Sequence, residues 1–241
     1  DWSSDVCSSD LLHLFNWKET KQELTKPPLL SGMATFPMAG MILSTYVFRV
    51  FPHLPLVAQG LWWFSFLLDV ALIAGFTIKF AYPGKRVNAT PSWTVLYVGI
   101  AVAALTYPLV GIIQIAYATL SFGFLLTFYL YPLIYSDLKK TPLPLALLGQ
   151  EGIYCAPFSL LLASLVRVGE VSLPTWLLIA MILASQIFFF FVLTRLPNIL
   201  KQGFQPAFSA LTFPTIITAT SLKMAQGILK LPFLDYLIVA E

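Results

Sequence analysis

Read along its length, the chain alternates long apolar stretches with short clusters of proline, glycine and charge. Seven stretches stand out: Leu29 to Phe48, Leu56 to Ala81, Ser92 to Val110, Gly111 to Tyr135, Leu145 to Val166, Leu177 to Leu196 and Ala207 to Gly227. Each approaches or exceeds the roughly 20 residues that a helix needs to cross a bilayer core. So many stretches of this length cannot all be the core of one soluble domain, and the pattern predicts an all-α transmembrane fold. The least marked break lies between the third and fourth stretches and rests on Pro108 and Gly111. Residues 12–28 read as a polar, mixed-charge loop. Residues 228–241 are too short to span and read as the clipped start of a last helix.

The connections between these spans carry unequal charge. One alternating set holds Lys18, Lys21, Lys26, Lys79, Lys85, Arg86, Lys139, Lys140, Arg195 and Lys201; the other holds only Arg49, Arg167, Lys223 and Lys230. Lysine and arginine concentrate on the cytoplasmic side of a membrane protein. The segment before Leu29 is therefore expected to be cytoplasmic and the odd-numbered spans to run outward. Losing or adding one span would scramble this bias, so the charge count also supports seven.

Composition sharpens the picture. Hydrophobic residues make up 58% of the chain and charged residues 10%, against about 25% charged in soluble domains. The first eleven residues, DWSSDVCSSDL, look like a sequencing adapter translated in one frame, and they are set aside from fold reasoning as a non-native scar. Without Asp1, Asp5 and Asp10 the 14 basic and 11 acidic residues become 14 and 8, and the net charge moves from +3 to +6. Cys7 falls in the same stretch, which leaves Cys155 with His13 and His53. No disulfide, metal site or other cofactor site follows from that set. Nothing in the sequence suggests a nucleic-acid partner; the lipid bilayer is the surrounding the chain expects.

Ionisable groups inside a membrane are functional candidates because placing them there is costly. Only Asp69, in the second span, and Glu151, beside Gln150 in the fifth, qualify. Asp69 is expected to pair with a polar group on a neighbour or to sit near an interface, and Glu151 to reach water at the cytoplasmic edge. No nucleophile–base pair and no glycine-rich phosphate loop accompanies them, which disfavours an enzyme and names no catalytic residue.

Proline is more informative. Pro37, Pro157 and Pro214 fall inside the first, fifth and seventh spans, each beside a phenylalanine: Phe36, Phe158 and Phe213. Two contexts are near copies, ATFP ending at Pro37 and LTFP ending at Pro214. A proline removes one backbone hydrogen bond and kinks a helix. The second, fourth and sixth spans lack a proline away from their ends. Repeated hairpins result, each with one kinked inner helix and one straight outer helix. The kinked spans also carry Ser31, Thr35, Ser44, Thr45, Thr212, Thr215, Thr218, Thr220 and Ser221. Small and hydroxyl residues serve close helix packing; they also suit a neutral path that favours an anion over a cation. Lys223 and Arg167, near outer ends of kinked spans, are candidates for anion attraction at the mouth, with interfacial snorkelling as the ordinary alternative.

The stretches PSWTVLYVGI (from Pro91), FPMAGMILSTY (from Phe36) and FQPAFSALTFP (from Phe204) resemble the tellurite-resistance/dicarboxylate transporter family. That family includes bacterial tellurite-resistance proteins, malic acid transporters and plant slow anion channels. The likeness runs from about Leu14 to Gly227. It implies ten helices in five hairpins around a central pore, with the odd-numbered helices lining it. A phenylalanine plug on the ninth helix falls on Phe213, with Phe36 and Phe158 as lesser pore contacts. The seven spans correspond to helices three to nine, so a pore closed by five hairpins is expected to be incomplete in this chain. The resemblance further implies small anions as substrates, C4-dicarboxylates such as malate or inorganic anions, a homotrimer, and a prokaryotic inner membrane. A proton-coupled dicarboxylate or tellurite/sulfite-type exporter, and a non-transporting membrane subunit, remain as alternatives.

Overall fold

A computed structural model describes residues 26–82, 86–169, 173–201, 208–230 and 238, apart from the side chain of Ser209. The adapter-like stretch, nearly all of the expected loop 12–28 and most of residues 228–241 lie outside the described residues. Six helices are long and apolar enough to cross a membrane, from Pro27–Val50, Pro55–Ala81, Ser92–Leu109, Ile113–Lys140, Leu145–Gly169 and Thr175–Leu200. The seventh expected span is the helix Ser209–Leu229, whose threonines, serines and Lys223 lower its apolar content.

The first, third and fifth spans are interrupted, and the seventh carries a proline inside a continuous helix. The first consists of α1 (Pro27–Gly32) and α2 (Thr35–Val50), separated by a turn at Met33 and Ala34. The third passes from α4 (Ser92–Val98) through a tight 3-10 turn at Gly99–Ala101 into α5 (Val102–Thr106) and a second such turn at Tyr107–Leu109. The fifth begins with an unusually long 3-10 segment, Leu145–Cys155, before α7 (Ala156–Gly169). The seventh is α9 (Ser209–Leu229), with Pro214 inside it. The even-numbered spans are continuous: α3 (Pro55–Phe76) with a π turn at Thr77–Ala81, α6 (Ile113–Lys140) and α8 (Thr175–Leu200).

Two of the breaks share one backbone device. Pro37 has no N–H for the Met33 carbonyl four residues back, and Phe36 N–H donates to that carbonyl instead at 3.0 Å. Pro157 likewise leaves the Ile153 carbonyl, which receives Ala156 N–H. In each case the residue before proline tightens by one position, so the polar carbonyl stays satisfied inside an apolar surround. The third span breaks without a proline. There Gly99 lets Met38 approach so closely that a Cβ would lie 2.6 Å from its sulfur, and Ser164 donates to the Ala101 carbonyl at 2.9 Å.

The expected absence of interior prolines from even-numbered spans needs correction. α6 and α8 run on to Lys140 and Leu200, past the predicted ends at Tyr135 and Leu196, and so enclose Pro132 and Pro197. Both prolines lie toward the C-terminal ends of their helices. The predicted break at Pro108 and Gly111 does form: Gly111 takes a positive φ of 73°, a conformation that glycine adopts without a Cβ clash, and closes the turn onto the Tyr107 carbonyl at 2.9 Å.

Inner and outer roles follow from burial. In their most apolar stretches the third and fifth spans are 72% and 83% buried, against 22%, 33% and 39% for the second, fourth and sixth; the first, at 33%, is no more buried than the fourth and counts as inner through its packing on α5. The inner pieces pack in a row, α2 on α5, α5 on α7 and α7 on α9. The outer helices turn large apolar side chains outward, among them Leu56, Phe64, Leu125, Phe128, Leu183 and Ile187. Such a surface is a liability in water and suits lipid. In the connection after the second span Arg86 clamps Asp137 with two hydrogen bonds, 2.9 and 3.1 Å, and Ala89 N–H adds a third at 2.8 Å.

Candidate functional site

The inner row borders a cavity of about 790 Å³. Its wall comes from the second half of α2 (Ile42, Thr45, Tyr46, Phe48 and Arg49), the end of the third span (Leu105, Thr106, Pro108 and Leu109), Arg167 of α7, and α9 from Phe213 through Ile216, Ile217 and Thr220 to Met224. From Phe213 to Met224 the α9 backbone rises about 16 Å, at about 1.5 Å per residue. On the orientation expected from the loop charges, the cavity lies toward the outer side, with Phe213 at its inner end. Arg49 and Arg167 sit in the last turns of α2 and α7, at the outer end. Among the described residues, none that lines the cavity is acidic.

The positions of the wall residues are set from behind. Trp62 of α3 donates its indole N–H to Thr106 Oγ1 at 2.8 Å, and Gln59 donates to the Leu109 carbonyl at 3.1 Å. Gly40 of α2 sits against Ser65 of α3, with no room for a Cβ. Together these contacts fix the first and third spans on the second. On the other side, Ser159 of α7 meets Ser185 of α8 at 2.7 Å and Thr218 of α9 at 2.9 Å. Thr218 also donates to the Pro214 carbonyl at 2.8 Å, one residue beyond Phe213.

The structure distributes the sequence candidates unevenly. Phe213 and Arg167 line the cavity. Phe36 does not; its ring is 68% exposed at the start of α2. Phe158 is buried in an aromatic cluster, stacked on Phe188 at 5.2 Å and beside Tyr131 at 5.5 Å, and faces the outer helices. Lys223 is exposed and absent from the cavity wall, although its neighbour Met224 is part of it. Of the hydroxyl residues, Thr45 and Thr220 line the cavity. Ser31, Ser44, Thr218 and Ser221 are buried; Ser31 bonds Ser92 at 2.8 Å, and Ser44 and Ser221 return to carbonyls of their own helices. Arg49 is the residue that sequence reasoning missed. It was counted as a loop charge, although its place in the last turn of an inner helix matches that of Arg167.

Asp69 does not have the expected partner. It is fully buried in α3, and neither carboxylate oxygen meets a hydrogen-bond donor among the described residues. It shares the Ser65 face of α3, one turn farther in, and it is not part of the cavity wall. Glu151 lies half-buried on the 3-10 segment, also outside that wall. Among the described residues no group of three histidine, cysteine or carboxylate side chains is placed to hold a metal.

Inner spans that are mostly interrupted, continuous lipid-facing outer helices and, among the described residues, a cavity without an acidic lining group define a multi-pass membrane protein built around a conduit. The model of the voltage-dependent anion channel family matches residues 11–240, and the chain belongs to that family. This is the family that the three sequence stretches resemble, and it is one of anion channels and permeases. A search of curated proteins gives no match.

Proposed function

We propose that the protein is a passive conduit for small anions in which Phe213 is the constriction. The observation that carries this reading is the place of Phe213 at one end of a cavity whose only charged lining groups among the described residues are Arg49 and Arg167. An aromatic ring in a narrow passage excludes water and offers an ion no ligands, so it blocks until it moves. Pro214, directly after Phe213, has no N–H for a backbone hydrogen bond within the continuous helix α9, which makes this turn a natural point for that movement. Inorganic anions and C4-dicarboxylates such as malate are the proposed cargo, the prokaryotic plasma membrane the location, and a homotrimer the assembly.

Phe36 and Phe158 are not among the residues lining this cavity, so the reading rests on Phe213 and treats those two rings as packing residues. The proton-coupled alternative loses support because Asp69 and Glu151 both lie outside the wall. The test is anion flux into liposomes carrying the complete gene product, wild type and Phe213→Ala, with chloride, nitrate and malate. Faster flux in the variant, with or without a pH gradient, supports the gate. Equal flux in a well-folded variant counts against it.

A further inference from the structure

We infer that Arg49 and Arg167 form an anion-holding site at the outer end of the cavity, selective for planar oxyanions such as nitrate and carboxylates over spherical halides. This rests on the conduit reading above for its purpose, though not for its test.

The chain has four arginines. Arg86 is committed to Asp137 in a two-pronged ion pair. Arg195 lies over the Phe191 ring, 5.2 Å from its centroid. The other two, Arg49 and Arg167, have no hydrogen-bond or ion-pair partner among the described residues, and they are the two that line the cavity. They come from different inner helices, α2 and α7, and each stands in the last turn. One cavity therefore gathers both uncommitted guanidinium groups and no carboxylate.

Chemistry narrows the ligand. A guanidinium presents a rigid, planar fork of donors that matches two oxygens of a planar oxyanion, whereas a halide gains only the charge. Arg49 and Arg167 are both exposed, so the attraction is that of solvent-facing charges beside the apolar side chains of Leu105 and Ile217, and the donor fork rather than a dry surround carries the selectivity. A helix C-terminus also favours a cation, so part of what each arginine does is to cap its own helix. A useful experiment must separate that role from binding.

Thermal unfolding of the complete gene product in detergent does so when followed against nitrate and against chloride, with ionic strength held constant by a bulky sulfonate. Binding to the folded state raises the midpoint temperature in a saturable way. Wild type responds to nitrate at lower concentration than to chloride. Arg49→Gln and Arg167→Gln each raise the half-saturating nitrate concentration roughly tenfold, the size of one charge-assisted hydrogen bond. Lys223→Gln, the same charge change on a side chain outside the wall, leaves the nitrate curve unchanged. Arg49→Lys and Arg167→Lys keep the charge without the fork, so nitrate loses its lead over chloride. A helix-capping role alone lowers the anion-free midpoint and leaves the anion dependence intact. The inference is overturned by wild type without saturable nitrate stabilisation, by Gln variants that bind nitrate normally, or by Lys variants that keep the nitrate preference. Because the readout is binding, absent flux beside intact nitrate binding removes the conduit reading and keeps the site.

Discussion

Ser159 Oγ and Thr218 Oγ1 lie 2.9 Å apart in the seam between α7 and α9, with both residues fully buried. Ser159 also meets Ser185, so one hydroxyl joins three helices. Thr218→Val keeps the β-branched shape and removes the hydroxyl. The expected cost is about 0.6 kcal/mol, the usual size of a hydrogen bond between membrane helices, because Ser159 retains Ser185. Thr218→Ser keeps the bond and is expected to match wild type more closely. Unfolding in micelles reads both; a Val variant as stable as wild type shows that the seam is held by packing alone.

Asp137 and Arg86 make a sharper case. Asp137 is 3% exposed and accepts from Arg86 and from Ala89 N–H, while Arg86 is 36% exposed. Removing Arg86 leaves a buried carboxylate with one backbone donor. Arg86→Ala is expected to destabilise by about 1–3 kcal/mol, in the range of hydrogen bonds to charged groups. The partners are coupled, so the Arg86→Ala/Asp137→Ala double variant is expected to cost less than the sum of the single variants. Additive losses in a double-mutant cycle rule the coupling out.

The spans were legible because each is a run of apolar residues closed by proline, glycine or charge, and the turn at Gly111 announced itself by residue type. The break at Gly99–Ala101 was not, because it depends on how close Met38 comes from another helix, which no local pattern records. The interior prolines of α6 and α8 were hidden for a related reason. Polar residues such as Ser136 and Asp137 end an apolar run, but an Arg86 that arrives from a distant loop lets the helix continue. In the site, Phe213 was found through its proline context and the family resemblance. The same context misplaced Phe158, which the neighbouring Phe188 and Tyr131 draw away from the cavity. Lys223 and Arg49 differ only in which way a helix turns them, and charge counting along a sequence is blind to that.

Gly152 tests how α9 is seated. A Cβ there would collide with Leu211 and lie 3.3 Å from the Ala210 carbonyl, two and three residues before Phe213. Gly152→Ala therefore pushes on the start of α9, at a cost of about 1–3 kcal/mol for overpacking. Gly99→Ala meets only the mobile end of Met38 and is expected to cost less. If the gate is Phe213, Gly152→Ala also changes anion flux, whereas Gly99→Ala leaves it near wild type. Equal stability losses for the two variants would show that α9 yields as easily as a methionine side chain.

The three phenylalanines beside prolines separate the gate from packing. Phe213→Leu keeps an apolar plug of smaller size, so flux between that of wild type and Phe213→Ala is expected. Phe158→Ala removes a ring stacked on Phe188 and packed against Tyr131 and Phe128, which costs about 3–5 kcal/mol by the usual range for buried aromatics. It is expected to lower stability without opening the conduit, since the ring is not part of the cavity wall. Phe36→Ala touches a ring that is 68% exposed and is expected to change neither property by much. Flux and unfolding measured on the same three variants give a pattern that no single mechanism of general loosening reproduces. If Phe158→Ala raises flux as much as Phe213→Ala does, the passage opens by collapse of the aromatic cluster, and Phe213 loses its special place.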